Sequence, residues 1–310
     1  VKAKIETARN PFMERGLDAT TSKQEGAERL VILVVGEAAR ADRFSLNGYE
    51  RQTNPLLEQK SVISFKNMTS CGSDTALSVP CMFSYLNREN YSHAKGKNMS
   101  NVLDIISRAG VEVLWRDNNS DSKGAADRIT FEDYRSNNFN PLCNPECRDE
   151  GMLSGLQSYI DERPDSNILI VLHTMGSHGP AYYRRYPQAF EVFTPTWQTN
   201  QLNECSDEQI NNAYDNTIVY ADYFLSKVIE LLKNNAEDLD TAMFYISDHG
   251  ESLGENGVYL HGMPYFMAPI EQVHVPAIMW LDKSFAKEVN MEALEIVANE
   301  PLSHDNLFHT

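Results

Sequence analysis

The segment LVILVVGE, residues 30–37, runs six apolar residues into a glycine and a carboxylate. An uncharged block of that length is the size of a strand buried on both faces, and far short of the roughly 20 residues that span a bilayer. Runs of the same kind occur at residues 111–115, 167–173, 241–247 and 275–280. Between them lie helical patterns at residues 101–109 and 151–161, and a long one from about 207 to 234. Strand, helix, strand in succession predicts an α/β fold, a mostly parallel sheet sandwiched by helices. With no internal repeat, low-complexity tract or composition break, one domain is the economical reading. The loops at residues 117–140 and 182–204 are too long to be mere connectors.

Open parallel sheets bind ligands beyond the carboxyl ends of their strands, so the residues that follow each strand are the first candidates. Glu37 follows the first, His173 to His178 (HTMGSH) another, and Asp248 with His249 a third; His261 comes twelve residues after His249 across a glycine-rich turn. Aspartate, glutamate and imidazole suit a zinc ion. A lone Asp-His pair is common in loops, but three strand ends carrying metal-ligand types is not a random pattern. His173, nearer its strand, reads as a buried hydrogen-bonded histidine. His178, before Gly-Pro, is better placed for metal or proton transfer.

The chain has 310 residues and a net charge of −17. It is long enough to bury a core without disulfides. Binding nucleic acid needs clustered Lys and Arg, and no such run exists, so nucleic acid is not an expected partner. An anionic membrane surface also repels an acidic chain, so an anionic lipid substrate would have to be held by a few cations or a metal. Residues 1–28 mix both charges with a weak apolar spacing (Ile5, Ala8, Phe12) and read as a linker from a membrane part, or equally as a solvated helix.

Five cysteines leave one over. Cys71/Cys81 and Cys143/Cys147 are locally spaced; as zinc half-sites they lack a second pair nearby, so two disulfides and an oxidising compartment are favoured. SCGSDTALSVPC, residues 70–81, fences Thr75 between cysteines. A threonine hydroxyl is a poor nucleophile unless a cation lowers its pKa. Ser73 or Asp74 could cap a helix opening at Thr75, whose positive end would favour an incoming phosphoryl group. The plain alternative makes Thr75 a capping or packing residue. Asn119, Ser120 and Lys123 lie past another strand end and could hold phosphate oxygens or an amine head group, or form a solvated loop. Arg184 and Arg185 are an entrance patch or ordinary surface.

Seven blocks, VVGEAARADRFSLNGYERQTNP, SCGSDTALSVPCMFSYL, LWRDNNSDSKG, PECRDEGML, MGSHGPAY, NAYDN and SDHGESLGENGVYLHGMP, together resemble the periplasmic catalytic domain of the lipid A phosphoethanolamine transferases, the family that includes the mobile colistin-resistance enzymes. The resemblance covers nearly the whole chain from residue 30. It implies an alkaline-phosphatase-like fold for residues 29–310, an N-terminal membrane domain not in this sequence, and location at the periplasmic face of the inner membrane. It implies zinc bound by Glu37, Thr75, Asp248 and His249, with Thr75 as nucleophile. His178 and His261 would bind substrate, hold a second zinc or move protons, and Lys123 matches a substrate-site lysine. A monomer is expected. Two departures stand out: Trp197 occupies the place of a family cysteine, leaving Cys205 unpaired, and the chain ends at SHDNLFHT where the family runs on through a further helix.

The implied reaction moves phosphoethanolamine from phosphatidylethanolamine to Thr75 and then to a phosphate of lipid A, conferring polymyxin resistance. The rivals are a phosphodiesterase or phosphatase in which water replaces the acceptor, or transfer to another envelope glycan. A sulfatase reaction would need Cys or Ser in a C/S-x-P-x-R context, which neither Cys71 nor Cys81 has. A structural zinc domain would close its site with four side chains, often thiolates, and the expected set has none.

Overall fold

The computed structural model describes residues 11–21 and 27–310. The run at residues 30–35 forms β1 (Arg29–Gly36), which lies inside the sheet between β5 (Ile168–His173) and β6 (Asp240–Ser247), parallel to both. Beyond β5 come β3 (Glu112–Asp117) and β4 (Thr130–Asp133), also parallel. Beyond β6 lies β9 (His274–Leu281), then β2 (Ile63–Thr69) and β10 (Leu302–Ser303). The strand at residues 275–280 is therefore the exception: β9 runs antiparallel to both neighbours. A separate hairpin pairs β7 (Ser252–Leu253) with β8 (Tyr259–Leu260).

Side chains of β1 alternate between two cores. Leu30, Ile32 and Val34 pack with Tyr214, Ile218, Phe224 and Leu225 of the long helix, while Leu33 and Val35 pack with Val79, Met82, Phe83 and Leu103. Burial on both faces is why the strand has no polar alternation. The first five helices among the described residues are α1 (Thr75–Met82), α2 (His93–Lys97), α3 (Val102–Arg108), α4 (Leu156–Asp161) and α5 (Asp207–Asn235), and three short ones follow at Ile270–Val273, Phe285–Glu288 and Met291–Val297. Capping boxes start two of them: Asn101 with Asp104 for α3, and Ser206 with Gln209 for α5.

The helix expected over residues 151–161 is broken. A 3-10 turn at Asp149–Leu153 precedes α4, and Gly155 between them takes φ 71°, which right-handed helix does not allow. Three strands of the main sheet escape a reading based on apolar runs. β2 buries two of its seven residues and β4 none, so neither shows a continuous apolar block; β10 has only two residues. β4 sits inside the supposed loop at 117–140. Much of the expected linker lies outside the described residues. Residues 11–21 are not a helix: Met13 bridges Met99, and the Gly16 backbone lies against Ile105. Among the described residues, no helix is long and apolar enough to cross a membrane.

Candidate metal-centred active site

Because β1, β6, β5 and β3 all run the same way, their carboxyl ends gather at one edge of the sheet. Glu37 follows β1 and Asp248–His249 follows β6, and one ligand atom from each lies within 4.8 Å of the others. All three residues are fully buried. Backbone contacts lock the turn: Ala38 N–H and His249 N–H both donate to Asp248 Oδ1, at 3.2 and 2.7 Å, and Ser177 N–H donates to the Glu37 carbonyl at 2.9 Å. A Cβ at Gly36 would stand 2.6 Å from the Tyr245 hydroxyl oxygen, so any larger residue would displace that buried ring.

Asp74 is the N-cap of α1, accepting from Leu77 N–H at 2.9 Å, so Thr75 is the first helical residue. Its hydroxyl donates to Glu37 Oε2 at 2.9 Å and lies 3.3 Å from His249 Nε2. His249 Nδ1 faces the Gly250 carbonyl at 2.8 Å, which turns Nε2 toward Glu37 Oε1 at 3.2 Å and Asp248 Oδ2 at 3.5 Å. The disulfide Cys71–Cys81 is formed, and Ser78 of α1 donates to the Asp248 carbonyl. Nucleophile helix and ligand turn are thus pinned together.

Burial raises the Asp248 carboxyl to about 6, helped by the negative charge of Glu37. Burial works against charge on His249 as well, yet Asp248 and Glu37 push it up to about 10. Burial would raise Glu37 too, but the charge of His249, aided by those of His178 and His261, holds it well below the carboxylate range. Two buried carboxylates therefore flank one imidazole, so the cluster favours a positive charge at its centre. Glu37 Oε1 and Asp248 Oδ2 are buried and accept no hydrogen bond among the described residues. Two orphaned oxygens, one imidazole nitrogen and one hydroxyl fit the oxygen-and-nitrogen donor set of a zinc ion.

His261 lies against this cluster, its ring centroid 4.3 Å from that of His249 and 5.6 Å from that of His178. A second possible cation group consists of His249, Glu251 and His261. His178 is outside that group; its Nδ1 faces the Gly179 carbonyl at 2.7 Å. His173 is buried and bonded to Asp117 at 2.8 Å, as its place in the strand predicts. Asn119 reaches the site by donating to Glu37 Oε2 at 2.7 Å, so it holds the carboxylate. Ser120 and Lys123 do not join it: Lys123 Nζ bonds Ser120 Oγ at 2.7 Å, and Lys123 lines a neighbouring cleft of about 630 Å³ together with Ala76, Lys97 and Asp121. Arg185 is not a free entrance cation, since it donates to the His178 carbonyl and to Glu146. Cys143–Cys147 is a disulfide, and Cys205 is free.

Three further residues support the site. Glu251, two positions past His249, takes His261 Nδ1 at 2.6 Å, and its place in the ligand-bearing turn was a usable signal. Asp149 accepts the N–H groups of Met175 and Gly176, fixing the loop of His178. His304 Nδ1 accepts Cys71 N–H at 3.1 Å. Nothing local in PECRDEGML or SHDN announces either long-range contact.

An α/β sheet with a buried acid–imidazole cluster at its carboxyl edge and a hydroxyl at a helix start is the arrangement of metal-assisted phosphoryl and sulfuryl transfer enzymes. The chain belongs to the sulfatase family, matched over residues 29–310. Within it, the sequence is 48% identical over 306 residues to phosphoethanolamine transferase EptA of Escherichia coli K12, covering 97% of this chain and 54% of that protein. It is 51% identical over 263 residues to phosphatidylethanolamine transferase Mcr-1 of E. coli, covering 82% and 49%. Lipooligosaccharide phosphoethanolamine transferase A from Neisseria meningitidis superposes as its soluble domain with a TM-score of 0.92 at 42% identity, covering 96% of this chain and 91% of that one. The same enzyme solved as an integral membrane protein gives 0.94 at 40%, covering 99% and 58%. The chain spans about half the length of the curated relatives it matches.

Proposed function

We propose that this chain is the zinc-dependent catalytic part, residues 29–310, of a phosphoethanolamine transferase that takes its group from phosphatidylethanolamine and gives it to a phosphate of lipid A. The observation that carries the reading is the Thr75 hydroxyl, fixed at the start of α1 and hydrogen-bonded to Glu37 inside the Glu37/Asp248/His249 cluster. The names of the relatives supply the group and the donor.

Glu37, Asp248, His249 and Thr75 would hold the ion, whose chemistry is to acidify the hydroxyl and offset charge on phosphoryl oxygens. Thr75 Oγ1 then forms a bond to phosphorus while the bond from phosphorus to the diacylglycerol oxygen breaks. The Thr75 proton leaves along its hydrogen bond to Glu37 Oε2. His261, with His178 beside it, is the acid that protonates the departing alkoxide. In the second half, an oxygen of the acceptor phosphate attacks phosphorus, the bond to Thr75 breaks, and the hydroxyl is restored. The positive end of α1 favours the phosphoryl group in both halves. Asn119 keeps Glu37 in register. The product carries an added ammonium, which lowers the negative charge of lipid A and hence its attraction for polycationic polymyxins. A lipid donor and acceptor, together with two disulfides that persist in an oxidising compartment, support a location at the periplasmic face of the inner membrane.

The test is intact-mass analysis after incubation with phosphatidylethanolamine and zinc. A phosphoethanolamine adduct mapped to Thr75, absent in Thr75→Ala, supports the reading, and transfer to added lipid A names the acceptor. Near-normal transfer by Thr75→Ala removes it, and release of free phosphoethanolamine without acceptor modification makes the enzyme a hydrolase.

A further inference from the structure

The turn after His261 carries three large apolar side chains into solvent. Phe266 is 87% exposed, Met267 58% and Ile270 59%. They sit in one short stretch, YFMAPI, whose base is tied firmly to the site. Gly262 N–H donates to the Ser73 carbonyl at 2.8 Å, Ser73 Oγ donates to the Met263 carbonyl, and Tyr265 OH donates to the Ser70 carbonyl at 3.0 Å. Gln272 closes the turn by bonding Met263 N–H and the Leu260 carbonyl. The wall of the site and the base of the apolar tip are therefore tied together, two residues from Thr75. Beside the tip, the Arg88 guanidinium lies over the Tyr265 ring at 4.0 Å.

We propose that Phe266, Met267 and Ile270 form a wedge that inserts into the interfacial layer of a phospholipid bilayer and sets the mouth of the Thr75 site on the lipid surface. The proposal rests on the lipid-donor reading: a donor and acceptor that live in a bilayer make that surface the occupant whose chemistry matches an apolar tip beside the reacting hydroxyl. An amphipathic aromatic with an arginine on its face is also what the headgroup layer accommodates. Charge supplies little of the affinity. With a net charge of −17 the chain is repelled by anionic lipid, so burial of apolar side chains must hold it there. Binding should accordingly survive added salt, or strengthen as repulsion is screened.

The experiment partitions the 310-residue chain onto vesicles of phosphatidylethanolamine and phosphatidylglycerol at low and high salt, with Phe266→Asp/Ile270→Asp as the variant and its melting temperature as the folding control. The wild type should bind, and the variant should lose roughly tenfold or more, the scale set by withdrawing two large apolar side chains from the interface. In a Phe266→Trp variant, indole emission should shift to the blue on vesicle addition. Formation of the Thr75 adduct from a short-chain, water-soluble donor should be equal in wild type and double variant. Equal partitioning of the two proteins, absence of wild-type binding, binding abolished by salt, or loss of self-association in place of vesicle binding would each overturn the wedge. The last outcome would assign the patch to a second copy of the chain. If the short-chain donor gives no adduct with either protein while partitioning behaves as expected, the transferase reading fails and the wedge stands.

Discussion

Glu251 Oε2 lies 2.6 Å from Nδ1 of His261, and the carboxylate is fully buried. Its other oxygen accepts the Tyr182 hydroxyl at 2.7 Å. The pair fixes the imidazole, leaving Nε2 as the free ring nitrogen. Glu251→Gln is expected to cost about 10–100-fold in turnover, the range for removing a carboxylate that orients a working histidine. The pH profile gives the sign. Burial opposes charge on His261, but Glu251 raises its pKa. Without that carboxylate, any limb requiring protonated His261 moves to lower pH. A merely structural residue would lower activity without moving the limb.

Glu37 and Asp248 repel one another across the cluster. Asp248→Asn should raise the melting temperature of the zinc-free protein while abolishing the stabilisation that zinc gives to the wild type. Mass action sets the latter at about 2.7 kcal/mol when free zinc is 100 times its dissociation constant. Thermal melts with and without chelator check both. A zinc-dependent shift retained in Asp248→Asn would exclude Asp248 as a ligand.

His304 is a buried neutral imidazole. It takes Cys71 N–H on Nδ1 and meets the Ser247 carbonyl with Nε2 at 2.9 Å, so protonation would put a donor against a donor. Burial depresses its pKa to about 3. A histidine lowered in the fold contributes stability above its unfolded pKa, near 6.5, and that contribution is lost as pH falls toward 3. Each pH unit in this window is worth about 1.4 kcal/mol. His304→Gln should flatten the decline in denaturant midpoints between these pH values; an unchanged slope would refute it.

Cys71 and Cys81 close a loop with a sequence separation of 10 around Thr75. Replacing both by serine should lower stability by about 2–3 kcal/mol on the chain-entropy account. Turnover at a temperature where the variant is fully folded should fall as well, because α1 then loses one of the ties that hold Thr75 against Glu37. Normal turnover there would confine the bridge to stability.

Much of the architecture could be read locally. The apolar run 30–35 reads as a two-sided buried strand, and five such runs, with helices between, point to a mostly parallel sheet whose carboxyl edge carries Glu37, Asp248 and His249. Ser73 and Asp74 before Thr75 announced a helix start in the same way, and the fold uses Asp74 as its cap. These are short-range signals, because burial and capping are imposed residue by residue. The antiparallel course of β9 left no such mark, since an apolar strand looks alike in either direction, and the half-exposed β2 and β4 had no periodic run to betray them. Only the tertiary structure decided which polar groups meet. It brings Thr75 to Glu37 across 38 positions and His304 to Cys71 across 233, and joins Tyr182, Glu251 and His261 into one chain of hydrogen bonds. Such partners are chosen by where the sheet delivers its strand ends, and no stretch of sequence carries that information alone.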